Sequence, residues 1–346
     1  MELRPLCLVC GSPGGLVHEN VPDSLCGSPD QYNYLSCADC RMLWVSPRPD
    51  PSSLVKLYER HYGDLQLAPD PDLPAAGAKA WVRAVVLNSC RGYPAESVPR
   101  RRVLGHYAGP VLARIPWVGS RAQFGLGLML PPFRPRGRLL DLGCGYGWFV
   151  RLLRGLGWDA MGVEADRTAV AAGRARYGVP ICEGTLEEQA FPDASFDALV
   201  TRHSIEHVPD PRQTLLECRR VLKPGGWLGV ATPNGRSLSS RLFGRHWRGL
   251  TPPWHLHLFG PQALRRLVEE SGFAVQRIRT TAVSAHWVFC ASRAIKRGEY
   301  GPGVQVGSSR LFQACEAIGN AWWADLGEEL ELTAVATNAT GPARAD

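Results

Sequence analysis

The chain has 346 residues, 45% of them hydrophobic and 21% charged, with a formal net charge of +7. That balance excludes the low-complexity and repeat classes, and the length allows two domains with a sizeable core. The sequence pI near 8.9 is mild for a dedicated nucleic-acid binder, and the basic residues are mixed with apolar ones.

At the start stand two C-x-x-C knuckles, Cys7-Leu-Val-Cys10-Gly11 and Cys37-Ala-Asp-Cys40. Each pair offers two thiolates from one tight turn, so Cys7, Cys10, Cys37 and Cys40 are read as a structural Zn2+ site and residues 1–50 as a zinc ribbon. Four protein ligands leave no position for a catalytic water. Disulfides compete for a chain with 11 cysteines. Met1 to Gly11 lacks a basic start and a long apolar run, however, which predicts a reducing, cytoplasmic setting. Cys26 is off the knuckle spacing and is read as an ordinary thiol, and the remaining cysteines as core residues.

Residues 51–135 read as a helical linker and lid region. Ser46-Pro-Arg-Pro-Asp-Pro51 predicts a rigid turn, and Ser52 to Tyr62 a helix packing the ribbon onto the rest. A loop over 68–77 precedes a helix over 78–90. From Arg91 to Arg138 arginines recur with one acid, Glu96, interleaved with apolar residues. One reading is a helical hairpin over a ligand cleft. The other is a surface for anionic headgroups at the inner face of a membrane, or for a polyprenyl-phosphate-linked acceptor. Arg114 and Arg121 interrupt the apolar run, which is too short to span.

From residue 136 the strand Arg138-Leu-Leu-Asp-Leu runs into Gly143-Cys-Gly145-Tyr-Gly147. Asp141 puts a negative charge where a dinucleotide would place its pyrophosphate, and the spacing is G-x-G-x-G rather than G-x-G-x-x-G. A cationic ligand such as S-adenosylmethionine suits that turn. A helix over 148–156 and a strand ending in Glu164 follow, that acid being placed to accept both ribose hydroxyls. Adenine is expected near Thr185 and Leu186, after a strand over 180–183. A further strand over 198–201 ends in Arg202, which completes the cofactor set. Residues 211–220 predict a helix, and Val221-Leu-Lys-Pro-Gly-Gly-Trp opens another strand.

Asp141, the glycine turn, Glu164 and these downstream segments together resemble the class I S-adenosylmethionine-dependent methyltransferases over residues 136 to about 280. The resemblance implies an α/β, Rossmann-like fold with a seven-stranded, mostly parallel sheet, helices on both faces and an antiparallel last strand. Gly327 to Ala336 looks like the closing edge strand, so 136–346 is assigned to the methyltransferase domain. With the ribbon and the run from Thr232 to Phe259, the chain is similar to bacterial methyltransferases of polysaccharide and natural-product biosynthesis.

Thr201-Arg-His203-Ser-Ile-Glu206-His207 falls at the carboxyl end of a strand, facing the ligand crevice. His203 is the candidate general base and His207 a second catalytic candidate that orients the loop. His203, Glu206 and His207 at i, i+3, i+4 are also similar to the Glu-x-x-Glu-His metal element of small-RNA 2′-O-methyltransferases and ubiquinone-type O-methyltransferases, with His255 and His257 as further imidazoles. Arg236, Arg241, Arg245 and Arg248 with Trp247 and Trp254 suit an anionic or sugar-containing acceptor. The expected activity is methyl transfer to an oxygen, or else nitrogen or carbon, of a small-molecule, sugar or glycan-linked acceptor. A zinc-ribbon RNA methyltransferase and a non-catalytic S-adenosylmethionine-binding regulator remain as alternatives.

Overall fold

The computed structural model describes residues 2–25, 29–50, 78–94, 111, 129–301, 306–322 and 325–337. Cys26, the expected helix over 52–62, the loop over 68–77 and most of the basic insert lie outside the described residues.

Strands β4 (Arg138–Leu142), β5 (Asp159–Glu164), β6 (Ile181–Glu183), β7 (Phe196–Arg202), β8 (Leu222–Pro233), β10 (Phe273–Thr281) and β11 (Glu329–Ala336) form one seven-stranded sheet in the order β10-β11-β8-β7-β4-β5-β6. Neighbours from β6 to β8 are parallel, and β11 runs antiparallel to both β8 and β10. The near-continuous burial of β4 and β7 is what a strand covered on both faces requires. Helix α1 (Ala78–Arg91) precedes β4, and helices lie between the parallel strands: α2 (Trp148–Gly155) follows β4, α3 (Arg167–Tyr177) follows β5 and α4 (Pro211–Val221) follows β7. Local chemistry sets their ends. Asp166 accepts from Ala169 N at the start of α3, and Gly178 closes it with φ 62°. Asp210 accepts from Arg212 N and Gln213 N, and Pro211 opens α4.

The last strand is antiparallel as expected, but it is not the edge. β11 lies between β8 and β10, and β10 takes the edge. Burial explains the exchange. β11 is buried along most of its length, whereas β10 exposes residues such as Ala274, Gln276 and Arg277, as an edge strand can.

The N-terminal sheet contains β1 (Gly14–Pro22), β2 (Gln31–Cys37) and β3 (Leu43–Val45), joined by β9 (His257–Leu258) through Leu43↔Leu258 and Trp44↔His257. The ribbon therefore borrows its fourth strand from far down the chain. Val21, Tyr32, Tyr34, Leu43 and Val45 share a buried cluster with Trp247, Leu250, Leu258 and Val288. Each such side chain contributes on the order of 2 kcal/mol on burial. Arg48 Nη1 donates to Pro209 O at 2.8 Å and Arg212 Nη2 to Val9 O at 3.2 Å, tying the ribbon to the loop after β7 and to α4. Beyond β8 come α5 (Leu238–Phe243), α6 (Pro261–Glu270), α7 (Ala285–Lys296) and α8 (Arg310–Trp322).

Candidate active site

The strand order reverses between β4 and β7, so a crevice opens at their carboxyl ends. Asp141 stands there on β4, 1% exposed, with neither carboxylate oxygen hydrogen-bonded. Burial raises its pKa to about 6, against the opposing charge of Arg202. The Arg202 guanidinium lies over the Phe149 ring at 3.9 Å and the Trp148 ring at 5.1 Å, so an aromatic floor rather than an ion pair holds it.

The turn between Asp141 and α2 is shaped by close approach. Gly143 has φ 72°, and a Cβ there would overlap the Ser204 hydroxyl. Gly147 has φ 76°, and its Cβ would lie 2.8 Å from Ile181 Cδ1. Gly145 faces open space, so a ligand can approach its Cα closely. Glu164 ends β5 with its carboxylate accepting from Gly145 N at 2.8 Å and Asp166 N at 3.0 Å. The acid expected to bind ribose thus also braces the glycine turn, and burial raises its pKa. Asp141, the three glycines, Glu164 and Arg202 form one neighbourhood. Thr185 lies just beyond β6, its N–H donating to Glu188 Oε2 at 2.8 Å, whereas the Leu186 side chain is sunk in the core.

After β7 the segment from His203 to Val208 is a bend and turn rather than a helix. His203 has φ 50° and is about half-exposed, with Nδ1 3.6 Å from Glu206 Oε1 and Nε2 3.8 Å from Glu329 Oε1. Burial opposes its protonation, but Glu206 and Glu329 outweigh that and raise its pKa. Glu206 is fully buried, accepts from Thr232 Oγ1 at 3.0 Å and is pushed down to about 2, burial being overcome by His203, His207 and His255.

The metal set expected at His203, Glu206 and His207 is not what the fold assembles. Glu206, His207 and His255 each bring one ligand atom within 4.8 Å of the others, and His203 falls outside. Backbone carbonyls orient both imidazoles: His207 Nδ1 lies 2.8 Å from Trp254 O and His255 Nδ1 2.6 Å from Gly249 O. Burial lowers the pKa of His255 to about 3, keeping it neutral and able to ligate. His257 is buried in β9 away from this group.

Beside the histidines a cavity of about 500 Å³ is lined by His203, His207, Trp254, Trp287, Glu328 and Glu329 among others. Glu328 accepts from Trp247 Nε1 at 2.6 Å, and burial raises its pKa to about 7. Glu329 and Glu328 were not anticipated as site residues. Their signal was available, since Glu328-Glu-Leu-Glu331 sets three acids into a strand whose burial needs apolar residues.

At the ribbon, Cys7 Sγ lies 3.4 Å from Cys40 Sγ, Cys10 Sγ 3.3 Å from Cys37 Sγ and 3.8 Å from Cys40 Sγ, all as free thiols. A Zn–S distance of about 2.3 Å places tetrahedral sulfurs about 3.8 Å apart. These four cysteines fit a tetrahedral zinc ion.

Residues 120–278 match a family model described as a methyltransferase domain. A Mycolicibacterium smegmatis protein named "Probable S-adenosylmethionine-dependent methyltransferase" is 39% identical over 141 residues, which cover 40% of this chain and 52% of that protein. A ubiquinone biosynthesis O-methyltransferase of Paraburkholderia phymatum is 32% identical over 146 residues, covering 40% and 56%. The chain thus spans about half the length of these curated relatives. A solved S-adenosylmethionine-dependent methyltransferase from Mesorhizobium loti aligns at 18% identity over 66% of this chain and 96% of its own, with a TM-score of 0.42. Topology and glycine turn agree with the match of residues 120–278 to a methyltransferase domain on a Rossmann-like sheet.

Proposed function

We propose that the chain transfers the methyl group of S-adenosylmethionine to an oxygen of a small-molecule, sugar or glycan-linked acceptor in a biosynthetic pathway. The observation carrying this reading is the buried, unpartnered Asp141 carboxylate beside the glycine turn, next to a cavity with a histidine at its mouth. Asp141 would hold the cationic end of the donor, Glu164 the ribose, and the backbone of the turn at Gly143, Gly145 and Gly147 would close over the donor. Thr185 and Leu186 would border the base and Arg202 the floor.

The acceptor oxygen would enter the neighbouring cavity, attack the methyl carbon in line with the carbon–sulfur bond and release S-adenosylhomocysteine, with positioning supplying most of the rate. His203 would take the hydroxyl proton, and Glu329 and Glu206 stabilise the imidazolium that forms. His207 would orient the loop through Trp254 O. The O-methyltransferase names among the relatives support oxygen over nitrogen. Trp254, Trp287 and the glutamates supply the stacking faces and acceptors a hydroxylated ring requires. Cys7, Cys10, Cys37 and Cys40 would hold a structural zinc. Among the described residues no helix is long and apolar enough to cross a membrane, and contact with a membrane surface through the basic insert remains part of the proposal.

Calorimetric titration with S-adenosylmethionine, with metal measured on the same sample, tests the reading. Micromolar affinity in the wild type and a loss of about a hundredfold or more in Asp141→Asn are expected. Equal affinity in the two proteins would remove the basis for the cofactor assignment. Tight binding without turnover across sugar and glycan acceptors would favour a regulator.

A further inference from the structure

On the far side of the Cys37–Cys40 knuckle, a second cavity of about 500 Å³ opens between the ribbon and the segment after β8. Ser36, Leu43 and Gly235 line it with Arg41, Arg236 and Arg241.

The two knuckles make the same turn with different residues. Gly11 N donates to Cys7 O at 2.8 Å, and Arg41 N donates to Cys37 O at 3.1 Å. Both residues are left-handed, at φ 74° and 58°. Glycine adopts that conformation without steric cost, whereas an arginine is strained there. The second knuckle therefore carries a cationic side chain against its own backbone preference, as strained positions at functional sites do.

Arg236 is equally constrained. Its stem crosses Gly260, where a Cβ would lie 2.7 Å from Arg236 Cδ, so the missing side chain makes its path. Arg241 Nε donates to Arg236 O at 3.1 Å, which keeps it on the same rim. Among the described residues none of the three guanidiniums forms an ion pair with a carboxylate. Burial, then the charges of Arg241 and Arg41, push the pKa of Arg236 down, against a weaker opposing effect of Asp325. Three like charges around one cavity await an anion, and the guanidinium fork matches phosphoryl oxygens.

We propose that Arg41, Arg236 and Arg241 form a binding site for a phosphoryl group, a phosphate monoester or pyrophosphate, at the seam between ribbon and methyltransferase domain. Gly235 follows Pro233, a lining residue of the acceptor cavity, by two positions, a reach of about 7 Å. The group could belong to a soluble phosphorylated molecule or to a lipid headgroup. The site stands independently of methyl transfer.

The test is calorimetric titration of the full chain with inorganic pyrophosphate, for the wild type, Arg41→Gly, Arg236→Gln and Arg241→Gln, with zinc content and S-adenosylmethionine affinity measured on each. Pyrophosphate binding that weakens about tenfold or more in each variant, with zinc and cofactor affinity unchanged, is the expected result. Arg41→Gly restores the residue that the turn prefers, so lost affinity there reports the guanidinium rather than the fold. Absence of pyrophosphate binding, or affinity indifferent to all three substitutions, overturns the site. Loss of zinc in Arg41→Gly with full affinity in the other two would assign Arg41 to balancing thiolate charge and also overturn it. Sedimentation with phosphatidylglycerol vesicles separates the sources: vesicle binding lost in the same variants and displaced by pyrophosphate supports the site with a headgroup as its ligand, whereas pyrophosphate binding without vesicle binding supports it with a soluble phosphorylated ligand.

Discussion

At His203 two carboxylates flank one imidazole, and this fixes the direction of its pH response. Its pKa is raised above the ordinary 6.5, so it remains protonated to a higher pH than a free histidine. A base must first be neutral, so kcat/KM should rise with pH through an inflection above about 6.5. His203→Ala should lower turnover by about a hundredfold with S-adenosylmethionine affinity unchanged. A pH–rate profile of both proteins checks this, and an identical inflection in the variant would exclude His203 as the titrating group. Asp141 shows the opposite coupling. With its folded pKa raised to about 6, ionising it costs stability as pH rises from its unfolded value near 4 to about 6, and the cost persists above. A bound cation relieves that cost, so the thermal shift caused by S-adenosylmethionine should be larger at pH 7.5 than at pH 5. Asp141 and the glycines were legible because strand, turn and helix follow one another locally. The acids before and in β11 were a visible signal, but the contact of Glu329 with His203 was not legible, because it depends on the pairing of Glu329 with Pro233 about a hundred residues away in the chain.

At the scale of elements, the glycine turn and the loop after β7 are one packed unit. Gly143→Ala would place a methyl group against the Ser204 hydroxyl in a backbone conformation unfavourable to alanine. It should cost about 1–3 kcal/mol in denaturant unfolding and weaken the cofactor further, whereas Gly145→Ala, left-handed at φ 53° but facing open space, should cost about 1 kcal/mol from the backbone alone. The strands from β4 to β8 and the helices α2 and α4 follow the hydrophobic pattern closely, so they were readable within a residue or two, whereas α3, rich in alanine and arginine, was not read from the sequence. Two other features were not. β9 is two residues long and carries no period, and the interior place of β11 is set by which strand needs cover on both faces.

At the scale of the molecule, the ribbon is joined to the catalytic half by a shared sheet, a shared core and the Tyr34 hydroxyl, which lies 2.5 Å from Leu250 O and 3.1 Å from His255 O. Loss of the thiolate cluster should therefore reach the acceptor cavity. Cys37→Ser should lower bound zinc and melting temperature and also reduce turnover, measured below the new melting temperature. Full turnover in a folded, zinc-free variant would show that the ribbon does not support the site. The placement of β11 has a consequence for biosynthesis. A ribosome delivers β8 and β10 well before the strand that belongs between them, and β11 brings Glu328 and Glu329 with it. The nascent sheet thus carries an open slot with unpaired β8 edge groups, exposed to mispairing until residues 329–336 emerge. The cavity beside the histidines can acquire its acidic wall only in the same event, so the sheet is filled and the cavity walled together.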